Sequence, residues 1–286
     1  TSPPYWGLRD YGTATWIGGD PNCPHMRTTK ISKDTATGHK AMFEQGNVVG
    51  DAIYKKICPK CGAERVDDQL GLEETPQEYV ANLVEVFREV RRVLRDDGTV
   101  WLNLGDSYSS GGRKTTTNQT VRGDTDYGVT RPPVYKGIKP KDLVGIPWRV
   151  AFALQEDGWY LRQDIIWNKP NPMPESVQDR CTKSHEYIFL LSKSKKYYFD
   201  NESIKEQGSG RIGGNVKPQK AYHPQRLLDA QQKIYEKVNK RSVWTVTTKP
   251  YKEAHFATYP PDLIEPCILA GCPEDGNVLD PFGGAG

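Results

Sequence analysis

Residues 75–104 constrain this chain more than any other stretch, because a capped helix there runs straight into an apolar strand. Thr75 suits an N-cap and Pro76 the first helical position, and Glu78, three residues after Thr75, completes a capping box. Val80, Leu83, Val84, Phe87, Val90 and Leu94 recur at helical spacing until Asp97-Gly98 stops the run. Residues 99–104 (TVWLNL) then read as a buried strand ending in Gly105-Asp106. Further along, the pattern predicts a helix over 147–156 and a strand over 159–167. A hairpin of 186–191 with 196–199 follows, then helices over 224–241 and 261–270 and a closing strand over 277–279. Polar, glycine-punctuated loops fill most of 1–70, 109–141 and 208–222. Helices alternating with apolar strands argue for an α/β sheet.

At 286 residues the chain is long enough to bury a core without disulfide support, and no internal repeat is visible. Seven Trp, fifteen Tyr and seven Phe exclude a solvated charged tail. No apolar run approaches the ~18 residues of a membrane helix, and no signal peptide is visible, so no membrane partner is expected. Six cysteines are too few for a disulfide scaffold and favour a reducing, cytoplasmic setting. The net charge of +3 conceals an asymmetry. Residues 183–252 hold fifteen Lys and Arg against six Asp and Glu, a balance of +9 that leaves −6 elsewhere. Tyr197, Tyr198, Tyr222, Trp244 and Tyr251 are interleaved with the positive residues. A solvated face explains many such runs; a phosphate-contacting surface is the functional reading.

The two ends carry the chemistry. Asp280-Pro-Phe-Gly-Gly-Ala-Gly286 is a glycine-rich turn after an expected strand, which lets backbone approach a ligand closely. Tight turns also need glycine on steric grounds, so the turn alone does not decide. Thr1-Ser2-Pro3-Pro4-Tyr5-Trp6 is more specific, because two prolines fix the backbone and remove two N–H donors, leaving carbonyls unpaired. The Ser2 hydroxyl and Pro3 carbonyl could accept the two N–H bonds of a nucleobase amine while Tyr5 stacks on its ring. A polyproline turn with a packed tyrosine is the plainer alternative.

Ser-Pro-Pro-Tyr at one end and Asp-Pro-Phe-Gly-Gly-Ala-Gly at the other resemble the catalytic and cofactor motifs of the DNA amino-methyltransferases. Their order, catalytic motif first, is that of the group called beta. Residues 94–108 (LRDDGTVWLNLGDSY), 167–172 (WNKPNP), 184–199 and 255–271 agree, so the resemblance spans nearly the whole chain. It implies a Rossmann-like, S-adenosylmethionine-dependent methyltransferase sheet in permuted motif order. One catalytic domain would cover 1–286, with a zinc-ribbon-like insertion over 18–70 and a target-recognition segment over 200–252. It further implies methyl transfer to cytosine N4 or adenine N6 of double-stranded DNA, on a base flipped into the pocket. Ser2, Pro3, Pro4 and Tyr5 would form the catalytic motif. Asp280, Pro281, Phe282, Gly283, Gly284 and Gly286 would contact the cofactor, with His255 and Ala257 lining the same pocket. Serine at position 2, rather than aspartate, leans toward cytosine N4. A bacterial or phage source and a cognate restriction endonuclease belong to the same expectation. Relatives extend beyond both ends of this stretch, so the 286 residues by themselves are expected to bind cofactor weakly.

Cys23-Pro-His25 and Cys58-Pro-Lys-Cys61 flank a polar loop, and Cys-x-x-Cys followed by Gly62 is the usual knuckle of a structural zinc site. His39 competes with His25 as fourth ligand, and free or redox-active cysteines are the alternative. Pro266-Cys267 fits the dipeptide of a covalent cytosine-C5 mechanism. Its apolar helical setting instead reads that thiol as a small buried hydrophobe. Methylation of RNA or of a protein amide, or zinc-dependent DNA binding without catalysis, remain competing functions.

Overall fold

The computed structural model describes residues 1–7, 14–25, 57–109, 137–208, 236–249 and 259–283. The chain divides into two compact units. One comprises Thr1–Ser2, Arg88–Asn103 and Leu154–Gly286; the other comprises Pro3–Phe87 and Leu104–Ala153.

In the second unit, strands β1 (Thr15–Ile17) and β2 (Glu64–Val66) form an antiparallel ribbon with Trp16 opposite Arg65. Helix α1 (Pro76–Val93) begins there and continues into the first unit. Its capping box forms as the sequence predicts. Glu78 N donates to Thr75 Oγ1 and Thr75 N to Glu78 Oε2, both at 3.2 Å. Pro76, Tyr79, Leu83, Val84 and Phe87 are its buried side chains in this unit, and Arg91 and Arg92 complement the dipole in its last turn. Helix α2 (Ile146–Glu156) starts in this unit too.

The first unit is built on a four-stranded sheet. Strands β3 (Thr99–Leu104), β4 (Tyr160–Asn168), β5 (His185–Ser192) and β8 (Val243–Thr245) lie in the order β3-β5-β4-β8. β4 pairs antiparallel with β5 and parallel with β8. Strand β5, with neighbours on both sides, is buried continuously from Ile188 to Ser192, as an inner strand covered on both faces must be. Arg162 is the extra residue where the β4–β5 register slips. Its guanidinium lies over the Tyr197 ring at 5.5 Å. Ile165, Trp167, Ile188 and Trp244 of the sheet pack with Leu263 and Cys267 of helix α3 (Pro261–Gly271). Pro266 sits inside α3 without breaking it. The carbonyl it leaves without a donor belongs to exposed Asp262 in the first turn, where water can replace the missing bond.

Three sequence expectations are corrected. Residues 196–199 form no strand; Tyr198 N instead donates to Asp97 O at 2.8 Å, and β5 finds its antiparallel partner in β4. The end of the helix expected over 224–241 is extended: β7 (Lys237–Val238) pairs with β6 (Glu206–Gln207), because two ladder bonds there replace helical ones. Residues 209–235 of that region lie outside the described residues. Finally, 277–279 has no ladder partner among the described residues, with Val278 and Leu279 about 60% exposed.

Candidate functional site

In the first unit the two ends of the chain meet. Asn103 N donates to Thr1 O at 3.0 Å, which lays the residue before Ser2 alongside β3. The Thr1 hydroxyl bonds the carboxylate of Asp280. Tyr259 OH donates to the same carboxylate at 2.5 Å, and Phe282 N at 3.1 Å. Burial works to raise the Asp280 pKa, yet the bonds from Thr1, Tyr259 and Phe282 N outweigh it and hold the group below the usual carboxylate value. Burial, reinforced by the Asp280 charge, pushes the Tyr259 phenol up, so it remains a donor. Gly283 N closes the turn onto Asp280 O at 3.3 Å. An ionised carboxylate heading a glycine turn is suited to accept an ammonium group.

A polar network sits beside Asn103. Its amide nitrogen donates to Glu186 Oε2 at 3.2 Å and to Tyr187 O at 3.1 Å, and Glu186 also pairs with Lys169. The Lys169 ammonium lies 4.1 Å from the Trp167 ring centroid. These residues all lie in segments that carry the family resemblance, but nothing local in the sequence marks a role for them. Cys267 is buried, its thiol donates to Leu263 O at 3.6 Å, and burial pushes its pKa up to about 12. Such a thiol is packed rather than nucleophilic.

In the second unit, the loop from Pro3 to Gly7 is fastened at three points. Tyr79 OH donates to Pro4 O at 2.7 Å, Trp6 Nε1 to Glu73 O at 2.9 Å, and Gly7 N to Gly71 O at 2.8 Å. Burial, then the nearby Glu73 charge, raises the Tyr79 phenol well above its ordinary value, so it serves only as a donor. Tyr79 was missed in the sequence, although it lies in phase with Leu83 and Phe87 at i+4 and i+8. The Pro4 carbonyl is thus occupied, whereas no described residue donates to the Pro3 carbonyl or to Ser2 Oγ. Tyr5 lies against Gly105, where an added Cβ would come 2.5 Å from the ring; only glycine admits the ring there.

Asp106 joins two distant backbone segments of this unit. Its Oδ1 accepts Ser107 N at 2.9 Å, Gly145 N at 2.9 Å and Ile146 N at 3.1 Å. It thereby places a carboxylate at the N-terminus of α2, whose first turn has no acidic residue. Ser107 O accepts Val144 N, and Ser109 N donates to Asp142 O, so 107–109 and 142–144 run as a clasp.

The ribbon brings Cys23, His25, Cys58 and Cys61 together, with all four ligand atoms within 4.8 Å of one another. Cys23 Sγ and Cys58 Sγ are 3.8 Å apart, and Cys61 Sγ lies 3.6 Å from His25 Nδ1. Metal bonds of about 2.3 Å to sulfur and about 2.0 Å to nitrogen at tetrahedral angles require edges of about 3.8 and about 3.6 Å. Those two edges match a tetrahedral ion, and three thiols with one imidazole are the donors zinc prefers. Gly62 N bonds Cys58 O at 2.9 Å as a knuckle does, and His25 stacks on Trp16 at 4.4 Å with φ +40°. Gly19 approaches so closely, at φ +70°, that a Cβ would stand 2.8 Å from Cys61 Sγ. The Cys58 thiol is lowered to about 6, first by its bond with His25. His39, His255, Ala257, Gly284 and Gly286 lie outside the described residues, as do 26–56 of the insertion.

Within the first unit the sheet lays Thr1 beside the acidic turn at Asp280, and within the second unit the acceptor motif from Pro3 to Tyr5 is fixed by Tyr79 and Gly105. The profile of the DNA methylase family, which acts at N6 or N4, matches residues 1–286. The type II methyltransferase M.SmaI of Serratia marcescens is 44% identical over 289 residues, covering all of this chain and 72% of that protein. M.Cfr9I of Citrobacter freundii is 42% identical over 286 residues, covering 100% and 69%. Among solved structures, the cytosine-N4-specific PvuII DNA methyltransferase aligns with a TM-score of 0.43 at 14% identity, over 70% of this chain and 57% of that one. The chain belongs to the N6/N4 DNA methylases, S-adenosylmethionine-dependent enzymes that methylate an exocyclic amine of DNA. No described helix is long and apolar enough to cross a membrane.

Proposed function

We propose that this chain is the catalytic domain of a site-specific methyltransferase acting on the exocyclic N4 of a cytosine flipped out of double-stranded DNA. The observation that carries the reading is the state of the acceptors. Tyr79 occupies the Pro4 carbonyl, while Ser2 Oγ and Pro3 O are left for an incoming amine. S-adenosylmethionine supplies a methyl group already activated on sulfonium. The residues have only to hold the amine in line, which is the major part of such a barrier. Ser2 Oγ and Pro3 O would accept the two amine N–H bonds and aim the nitrogen lone pair, while Tyr5 stacks on the base, a contact worth ~1–3 kcal/mol. As the N–C bond forms the sulfur–methyl bond breaks, the thioether leaves with its electron pair and the nitrogen releases one proton to solvent. Asp280, held ionised, receives the cofactor's ammonium, with Pro281, Phe282 and Gly283 forming the wall beside its methionine portion. Serine at position 2 favours cytosine N4; adenine N6 is the alternative within the same family.

Cys23, His25, Cys58 and Cys61 would hold a structural zinc ion that organises the insertion, as their edges and donor set support. The segment 200–252 is the target-recognition surface in this reading. Some of its charge is already paired, Lys205 with Glu202 and Arg241 with Glu206 inside the segment and Lys249 with Asp262 of α3. A cytoplasmic enzyme paired with a restriction endonuclease fits the type II names of its relatives.

The test is sequencing of DNA from cells expressing the full-length protein. N4-methylcytosine at one short sequence, abolished by Ser2→Ala and Tyr5→Ala while DNA binding persists, is the expected result. N6-methyladenine would move the assignment to the alternative base, and absence of both marks would overturn the reading.

A further inference from the structure

The loop joining β4 to β5 presents an apolar side chain to solvent in an unusual way. Met173 is 83% exposed, more than any other large apolar residue among those described. It lies between Pro172 and Pro174, which fix the flanking backbone and remove two N–H donors from the tip. The roots of the loop are firmly held. Asn171 and Thr248 exchange two hydrogen bonds, Asn171 Nδ2 to Thr248 O at 3.3 Å and Thr248 N to Asn171 Oδ1 at 3.1 Å. Asn168 Nδ2 donates to Thr245 Oγ1 at 3.1 Å. On the far side, Glu175 accepts Arg180 Nη1 at 2.7 Å, Arg180 Nη2 at 3.2 Å and Lys183 N at 3.1 Å. A stiff loop with a methionine at its tip pre-orders an apolar probe, where a solvated connection would choose polar residues.

Its place in the first unit matters as much. The loop leaves the sheet after Asn168 and returns at His185, which face each other in the β4–β5 ladder. The next residues, Glu186 and Tyr187, bind the side chain of Asn103, whose backbone holds Thr1 beside Ser2. The methionine therefore projects from the end of the sheet that carries the catalytic serine. The basic stretch over 183–252, complementary to a phosphate backbone, starts at the loop's second root.

We propose that Met173 is the wedge that enters the duplex where the target base has left it. This rests on the base-flipping reading above. Extruding a base forfeits its stacking and leaves an apolar gap, and an inserted side chain restores part of that loss. An unbranched, polarisable thioether conforms to such an irregular gap.

The experiment uses the full-length protein and two duplexes of its own recognition sequence. In one the target cytosine is paired; in the other it faces an abasic site and has no base pair to break, so its extrusion costs least. Met173→Ala is expected to slow methylation of the paired duplex about tenfold while staying within about twofold of wild type on the other. Met173→Leu should retain the wild-type rate on both. Equal rates for Met173→Ala and wild type on paired DNA would overturn the wedge. So would an equal loss on both duplexes, which would mean that Met173 is covered by another part of the protein and serves packing. Wild-type protein that methylates neither duplex would remove the flipping reading itself, a failure distinct from that of the wedge.

Discussion

The ribbon of β1 and β2 consists of two three-residue strands whose buried apolar residues nearby are Cys58 and Ala63, with Ile17 and Ile57 more than half exposed. The four-stranded sheet encloses Val100, Leu102, Ile165, Trp167 and the run from Ile188 to Leu191, and a helix covers it. A two-stranded ribbon with so little to bury is marginal in water, whereas a sheet of this kind stabilises itself. The contrast shows two ways of holding a backbone in one chain. In the proposed reading the ribbon relies on four ligand atoms around one ion, whereas the sheet relies on apolar area distributed over many residues. Damage to the first should therefore be complete and local, and damage to the second partial and shared.

Removal of the zinc ion proposed for the Cys/His cluster is the harshest test of that contrast. Chelation of the full-length protein, or Cys58→Ser, should abolish amide protection over 14–25 and 57–66 while residues 185–192 stay protected in hydrogen exchange. If the proposed site is a structural zinc site, the stabilisation forfeited is about 10–16 kcal/mol apparent at neutral pH. Ribbon protection that survives chelation would erase the distinction. Next in size, Phe189→Ala should cost about 3–5 kcal/mol in denaturant melts, because Phe189 is fully buried in an inner strand. Its folded fraction should still carry a full complement of metal. Tyr79→Phe is the mildest. It removes one hydroxyl donor to Pro4 O and should cost about 1 kcal/mol of stability. Methylation should fall further than that loss explains, since the motif next to Pro4 loses a fastening point; unchanged activity would confine Tyr79 to packing.

The helix at Thr75 and the strand over 99–104 were legible because each is specified locally, by a capping box and by an apolar run. The Cys/His cluster was legible because ligand chemistry restricts both residue type and spacing. What escaped depends on distant partners. The aromatic run at 197–199 looks like a hairpin arm, but β5 pairs with β4 across a sixteen-residue loop, and no local pattern encodes that choice. Residues 237–238 read as the end of a helix until Glu206 and Gln207 supply a ladder. Tyr79 was hidden because its hydroxyl acts on a carbonyl seventy-five positions away. Asp106 was quoted within a motif, yet its three backbone donors come from two separate segments.

Asp106 has an evolutionary consequence. One carboxylate oxygen and the clasp at 107–109 and 142–144 secure both ends of the stretch between them. Chain inserted or deleted inside that stretch therefore leaves its two ends at the same fixed separation. Gly105 and the tyrosine ring resting on it are thereby insulated from the length of the connection between the clasped ends.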